Sequence, residues 1–104
     1  MRQFRFRWMT YELKFMPEAL DEWNNLDGSI SAPLKKKLAK ALENPIVPAA
    51  QLSGMPDCYK IKQRGSGYRL VYHVDQGEII VLVLSVGKRE RNRVYKVAKR
   101  RLIE

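Results

Sequence analysis

Two short stretches gather the side chains that could do chemistry. In YKIKQRGSGYR, Tyr59 to Arg69, the cations Lys60, Lys62, Arg64 and Arg69 stand without an acid. In GKRERNRVY, Gly87 to Tyr95, Lys88, Arg89, Arg91 and Arg93 precede the ring of Tyr95. Cations hold phosphate and rings stack on bases, a combination suited to single-stranded nucleic acid. Cations also stabilise the charge that builds on a pentavalent phosphorus in a transition state. RNA brings its own nucleophile, the 2′-hydroxyl. The protein need only align it, accept a proton and assist the departing 5′-oxygen. A lysine is a poor base at pH 7, but crowding by other cations favours its neutral form. Arginine keeps its proton, which suits charge stabilisation better than acid catalysis.

Other chemistries find little support. His73 is the single histidine and Cys58 the single cysteine, so a histidine pair, an internal disulfide and a multi-cysteine metal site are excluded. The acids form no cluster that suggests a metal, and no cofactor is implied. Gly65-Ser66-Gly67 lies between two strand-like runs and reads as a hairpin turn rather than a phosphate loop.

The elements that must position these groups follow from apolar periodicity. In 59–64, Tyr59, Ile61 and Gln63 share one face and Lys60, Lys62 and Arg64 the other. In 68–74, Tyr68, Leu70, Tyr72 and Val74 face inward, opposite Arg69, Val71 and His73. An even-numbered loop places both apolar faces in one core and sets Lys62 across from Arg69. A slip of one residue would bury a lysine. Like charges directly opposite cost up to about 1 kcal/mol, which a bound anion would offset. The bland alternative is a solvated face with long side chains splayed into water.

Before the hairpin, alternation of Tyr11, Leu13 and Phe15 predicts a strand over 10–16. Pro17 opens a helix with Ala19, Leu20, Trp23 and Leu26 on one side, stopped by Asp27-Gly28. Ser29 or Ser31 caps a second helix with Pro33 in its first turn, ended by Asn44-Pro45. Its stripe is Ile30, Leu34, Leu38 and Leu42. Lys35, Lys36 and Lys37 lie mostly on the other side, as a solvated face or a contact to nucleic acid. After the hairpin, Ile79 to Leu84 is apolar on both faces and reads as a central strand. A helix from Glu90 onward puts Val94, Ala98 and Leu102 on one side. The expectation is one α+β domain over residues 10–104, of order β-α-α-β-β-β-α, with residues 1–9 as an N-terminal extension.

The net charge of +9 is uneven: residues 1–58 carry eight Lys/Arg against seven Asp/Glu, and residues 59–104 twelve against four. A polyanion is the natural partner, an acidic protein the competing one. No apolar run is long enough to span a bilayer, so no membrane partner is expected. The lone cysteine fits a reducing, cytoplasmic location.

At GMPDCYKIK (54–62), SGYRLVY (66–72), SVGKRER (85–91) and the following Val94-Tyr95, the sequence resembles the RelE family of ribosome-dependent mRNA interferases, toxins of RelBE-type toxin–antitoxin pairs. The likeness runs from about Tyr11 onward. It implies a compact microbial-RNase-like α+β fold, mainly an antiparallel sheet packed against helices. It implies an endoribonuclease that needs no metal and cuts mRNA in the A site of the 70S ribosome, leaving a 2′,3′-cyclic phosphate. By this resemblance the catalytic set is Lys60, Lys62, Arg69, Arg89 and Tyr95. Lys62 matches the general base and Arg69 a transition-state stabiliser. Arg89 assists the leaving group and Tyr95 stacks on a base. Arg64, Lys88, Arg91, Lys35, Lys36 and Lys37 are candidate RNA contacts. Relatives often carry an arginine where this chain has Ser53. The implied partner is an acidic RelB-like antitoxin that covers or displaces the C-terminal helix with Lys96, Lys99, Arg100 and Arg101. The toxin itself is expected to be monomeric when free. Two other readings stay open: a non-enzymatic gyrase poison of the ParE type, and an RNA- or ribosome-binding module without activity.

Overall fold

A computed structural model describes residues 10–103, so the proposed extension at 1–9 lies outside the described residues. The elements in chain order are β1 (Glu12–Phe15), α1 (Pro17–Asn24), α2 (Gly28–Glu43), β2 (Cys58–Gln63), β3 (Tyr68–Asp75), β4 (Ile80–Lys88) and α3 (Arg93–Ile103). The strands form a four-stranded sheet in the order β1-β4-β3-β2. Only the β1–β4 pair is parallel. The element order and α+β class match the periodicity reading.

The sheet is covered on both faces. On one side Ala19 of α1 and Leu34, Leu38 and Ala41 of α2 pack on Tyr59, Ile61, Leu70, Tyr72, Val74, Val81, Val83 and Val86. On the other, Val94 and Ala98 of α3 pack on Met55, Cys58, Val71 and Leu84. Tyr72 shows how the first core closes. Its ring stacks on Tyr59 at 5.6 Å and its hydroxyl donates to the Pro45 carbonyl at 2.8 Å. Burial, with a lesser contribution from Tyr59, pushes the Tyr72 phenol up to about 12.

Several local expectations are corrected. Asp27 does not stop α1, which ends earlier, at Asn24. Asp27 instead caps α2, accepting from the Ser29 backbone N–H at 3.0 Å and from the Ser29 hydroxyl. Those bonds hold its carboxyl below the usual range. The better cap is therefore the acid just before the helix rather than a serine within it. Pro33 consequently falls inside α2 and not in its first turn. Leu20, expected on the buried side of α1, is 42% exposed. The last helix does not start at Glu90. A short 3-10 turn, Glu90–Asn92, precedes it, with Arg91 and Asn92 both at positive φ.

One irregularity in β4 governs the site. Val71 pairs with Ser85 and Tyr72 with Val83, leaving Leu84 without an opposite residue on β3. Two residues against one is a β-bulge. Leu84 and Ser85 both turn toward α3: Leu84 joins the second core, and the Ser85 hydroxyl donates to the Val94 carbonyl at 2.8 Å. Beyond the bulge the alternation has shifted phase. Val86 returns to the first core, and Gly87 comes opposite Arg69.

Candidate active site

The hairpin behaves as the alternation demands. Gln63 pairs with Tyr68, closing a four-residue loop, and Lys62 pairs with Arg69 and Lys60 with Val71. Gly65 and Gly67 stand at φ +86° and +77°, where a side chain would be strained. Between them Ser66 donates its hydroxyl to the Gln63 carbonyl and accepts from the Tyr68 N–H, each at 3.2 Å. The tip is tied to the second basic stretch, because the Arg89 backbone N–H donates to the Gly67 carbonyl at 2.9 Å.

That tie creates a cleft of about 390 Å³ lined by Ser66, Gly67, Arg69, Lys88, Arg89 and Glu90. Arg69 and Arg89, twenty residues apart in sequence, thus share one hollow. Across the sheet Gly87 puts no side chain beside Arg69. Arg69 is half-buried. Its Nη1 donates to the Tyr68 carbonyl at 3.0 Å, while its Nε is buried with no hydrogen-bond partner among the described residues. A buried unpaired donor costs roughly 1–3 kcal/mol. An anion in the cleft would remove that cost. Lys88 lies over the Tyr68 ring, 5.8 Å from its centre, and so joins the cleft wall from a fixed position.

The remaining candidates divide. Lys60, Lys62 and Arg64 line a second groove, about 400 Å³, between β2 and α2, together with Lys37 and Lys40. The Lys37 ammonium donates to the Lys62 carbonyl, capping the open edge of β2. Lys62 of the groove stands across the strand pair from Arg69 of the cleft. Lys35 and Lys36 are exposed on α2 and line neither hollow. Arg91 borders a separate depression with Glu90, Arg93 and Lys96. Tyr95 is half-buried, packed against the second core, and does not line the cleft.

Arg101 corrects the picture of a uniformly basic α3. Its guanidinium is paired with Glu22 of α1 through bonds of 3.0 and 2.9 Å and donates to the Leu84 carbonyl at 2.7 Å. Glu22 also accepts from the Val86 N–H at 3.0 Å. β1 stops pairing at Phe15 opposite Val83, so this ion pair serves the backbone edge of β4 where its neighbour strand has ended. Sequence reasoning could not find it, since the partners are 79 residues apart and each looks like a surface charge. Cys58 is fully buried, and burial, with Asp57 adding to it, pushes its thiol up to about 11, a poor nucleophile. Among the described residues no group of His, Cys, Asp and Glu could hold a metal ion.

With this geometry in place, likeness to known proteins is informative. Residues 13–93 match the family model described as the ParE toxin of type II toxin–antitoxin systems, parDE. The chain is 53% identical over 95 residues to the mRNA interferase toxin RelE of Escherichia coli K12, covering 91% of this chain and all of that one. The chain belongs to the RelE family. The fold agrees. An arginine-substituted variant of E. coli RelE in the free state superposes with a TM-score of 0.84 at 51% identity, covering 90% of this chain and 99% of that one. The toxin of the intact E. coli RelBE toxin–antitoxin complex gives 0.74 at 54% identity, covering 75% and 95%. No helix among the described residues is long and apolar enough to cross a membrane.

Proposed function

We propose that this RelE-family protein is an endoribonuclease toxin that cleaves mRNA in the ribosomal A site and arrests translation. The observation that carries the mechanism is the cleft in which Arg69 keeps a buried, unpaired Nε beside Arg89. The scissile phosphate sits there. Arg69 holds the non-bridging oxygens and gains most when they bear the charge of the pentavalent state, which is what lowers a barrier. Lys62, directly across the strand pair, accepts the proton of the attacking 2′-hydroxyl, and Lys60 holds a flanking phosphate on the same strand. Arg89 stabilises the departing 5′-oxygen. Tyr95, fixed on the first turn of α3, offers the open part of its ring to a base. The products are a 2′,3′-cyclic phosphate and a free 5′-hydroxyl. No side chain in the cleft is a strong base, so catalysis depends on alignment of the RNA, and the ribosome supplies it.

The partner that silences the toxin is an acidic RelB-like antitoxin. The RelBE complex of the E. coli relative and the charge of residues 59–104 support this reading. The groove along β2, with five cations and no acid, is where acidic chain finds complementary charge.

The test is a translation extract with a defined codon in the A site, with cleavage mapped and product ends identified. Wild type cuts there and leaves a cyclic phosphate. Arg69→Ala or Arg89→Ala loses on the order of 10²–10³ in rate, as for loss of one transition-state donor. An intact codon with wild type, or normal cutting by the double variant, would sink the proposal. Uncut mRNA with arrested DNA supercoiling would select the ParE-type reading that the family description also admits.

A further inference from the structure

The basic segment after β4 contains one acid. Lys88, Arg89, Arg91 and Arg93 surround Glu90 in sequence. A surface built only for phosphate gains nothing from a carboxylate, which repels the ligand. Glu90 is exposed, yet it makes no ion pair or side-chain hydrogen bond with another described residue. It borders three hollows at this end of the molecule. The first is the cleft of Arg69 and Arg89, and the second the depression beside Arg93 and Lys96. The third is a crevice of about 260 Å³ between the end of β4 and the first turns of α3. Val86, Gly87, Val94 and Val97 line it together with Ser85, Lys88, Arg93 and the two acids Glu22 and Glu90. Its other acid, Glu22, is engaged by Arg101 and the Val86 N–H. Glu90 is therefore the carboxylate of the crevice that no described residue engages.

We propose that this crevice receives a nucleobase of the RNA and that Glu90 reads its amino-bearing edge, making Glu90 a specificity-determining residue. The proposal rests on the endoribonuclease reading above. Lys88 and Glu90 wall both the cleft and the crevice, so a base in the crevice belongs to a nucleotide next to the phosphate in the cleft. Proteins take splayed single-stranded bases by stacking them on aromatic rings or guanidinium planes and hydrogen-bonding their Watson–Crick edges, and the crevice wall offers the Arg93 guanidinium beside the Glu90 carboxylate. An ionised carboxylate only accepts hydrogen bonds. It favours guanine, whose N1–H and N2 amino group are adjacent donors, then cytosine and adenine with one amino group each. Against uracil it faces carbonyl oxygens on both sides of a single N–H. The negative charge is tolerated among the cations because it selects rather than grips.

The experiment is A-site cleavage of a codon panel in which one position at a time carries G, C, A or U. kcat/KM is measured for wild type and Glu90→Gln, with a melting curve to show that the variant is folded. Wild type should favour amino-bearing bases over uracil at one codon position. A glutamine amide both donates and accepts, so Glu90→Gln should let uracil catch up, narrowing that ratio about tenfold. Equal scaling of all codons by the substitution, or no base preference in wild type, overturns the base-reading role while leaving the ribonuclease intact. No cleavage of any codon by wild type overturns both.

Discussion

Replacing Arg101 with methionine isolates the bond between α3 and the rest of the molecule. Methionine keeps the apolar stem in place and removes the guanidinium. The bonds lost include two to Glu22 at 3.0 and 2.9 Å and one to the Leu84 carbonyl at 2.7 Å. The arginine side chain is only 9% exposed, whereas that of Glu22 is 33% exposed. Breaking a fully buried pair costs about 3–5 kcal/mol because a charge is stranded. Here water can reach part of the stranded Glu22, and Glu22 keeps its bond from the Val86 N–H, so the cost is nearer 2–3 kcal/mol. In a domain of this length that lowers the melting temperature by about 10–20 °C. Melting and urea unfolding measure the total. Limited trypsin digestion, with its sites at Arg93, Lys96, Lys99 and Arg100, reports whether α3 opens first. Added salt should narrow the gap between wild type and variant only slightly, since a nearly buried pair is weakly screened. A variant that melts with wild type, within about 0.5 kcal/mol, and resists trypsin equally would refute the reasoning.

Ile79 sits at φ +57°, a left-handed conformation that a β-branched residue adopts at a cost, on an exposed turn far from the cleft. Ile79→Gly should raise stability by about 1 kcal/mol in urea unfolding and leave cleavage alone. Loss of stability would show that the Ile79 side chain contributes more than its strained backbone costs. Cys58, with its folded pKa pushed from 9.0 to about 11, should resist thiol reagents in the native state at pH 8. The sign for stability follows. The folded protein holds the proton more tightly, so this contribution is intact below pH 9 and disappears as pH rises toward 11. Cys58→Ala should flatten that part of the pH profile, and an unchanged profile would exclude the thiol as its cause.

The hairpin was legible in the sequence because each of its strands has one wet and one dry face. With Lys60, Lys62 and Arg69 against Ile61, Leu70 and Tyr72, only one register keeps charge out of the core. β4 lacks that contrast. Ile80 to Leu84 is apolar throughout, so nothing marked the bulge at Leu84 that turns Gly87 toward Arg69. Its presence required the third dimension: two sheet faces, each with its own helix. Arg101 was misread for a related reason. In a helix carrying Lys96, Lys99 and Arg100, a fourth cation looks like more surface. Its role is set by Glu22 in α1, which no local pattern connects to it. The position of Arg89 beside Arg69 was likewise expected only from resemblance, and the backbone tie from Arg89 to Gly67 gives it a physical cause.

The pairing of β1 with β4 also bears on timing. Glu12 to Phe15 lie parallel to Ile80 to Val83, so the first strand waits for the last before the sheet is whole. The residues that finish the cleft, Lys88 and Arg89, come later still in the chain. A growing polypeptide with the hairpin already made carries Lys60, Lys62 and Arg69 but has nothing opposite them. Long-range parallel pairing is also among the slower steps of folding. A protein that attacks translation would therefore be harmless through most of its own synthesis. It would gain activity only when its last strand and the basic turn after it have emerged, which leaves an interval in which a neutralising partner can be waiting.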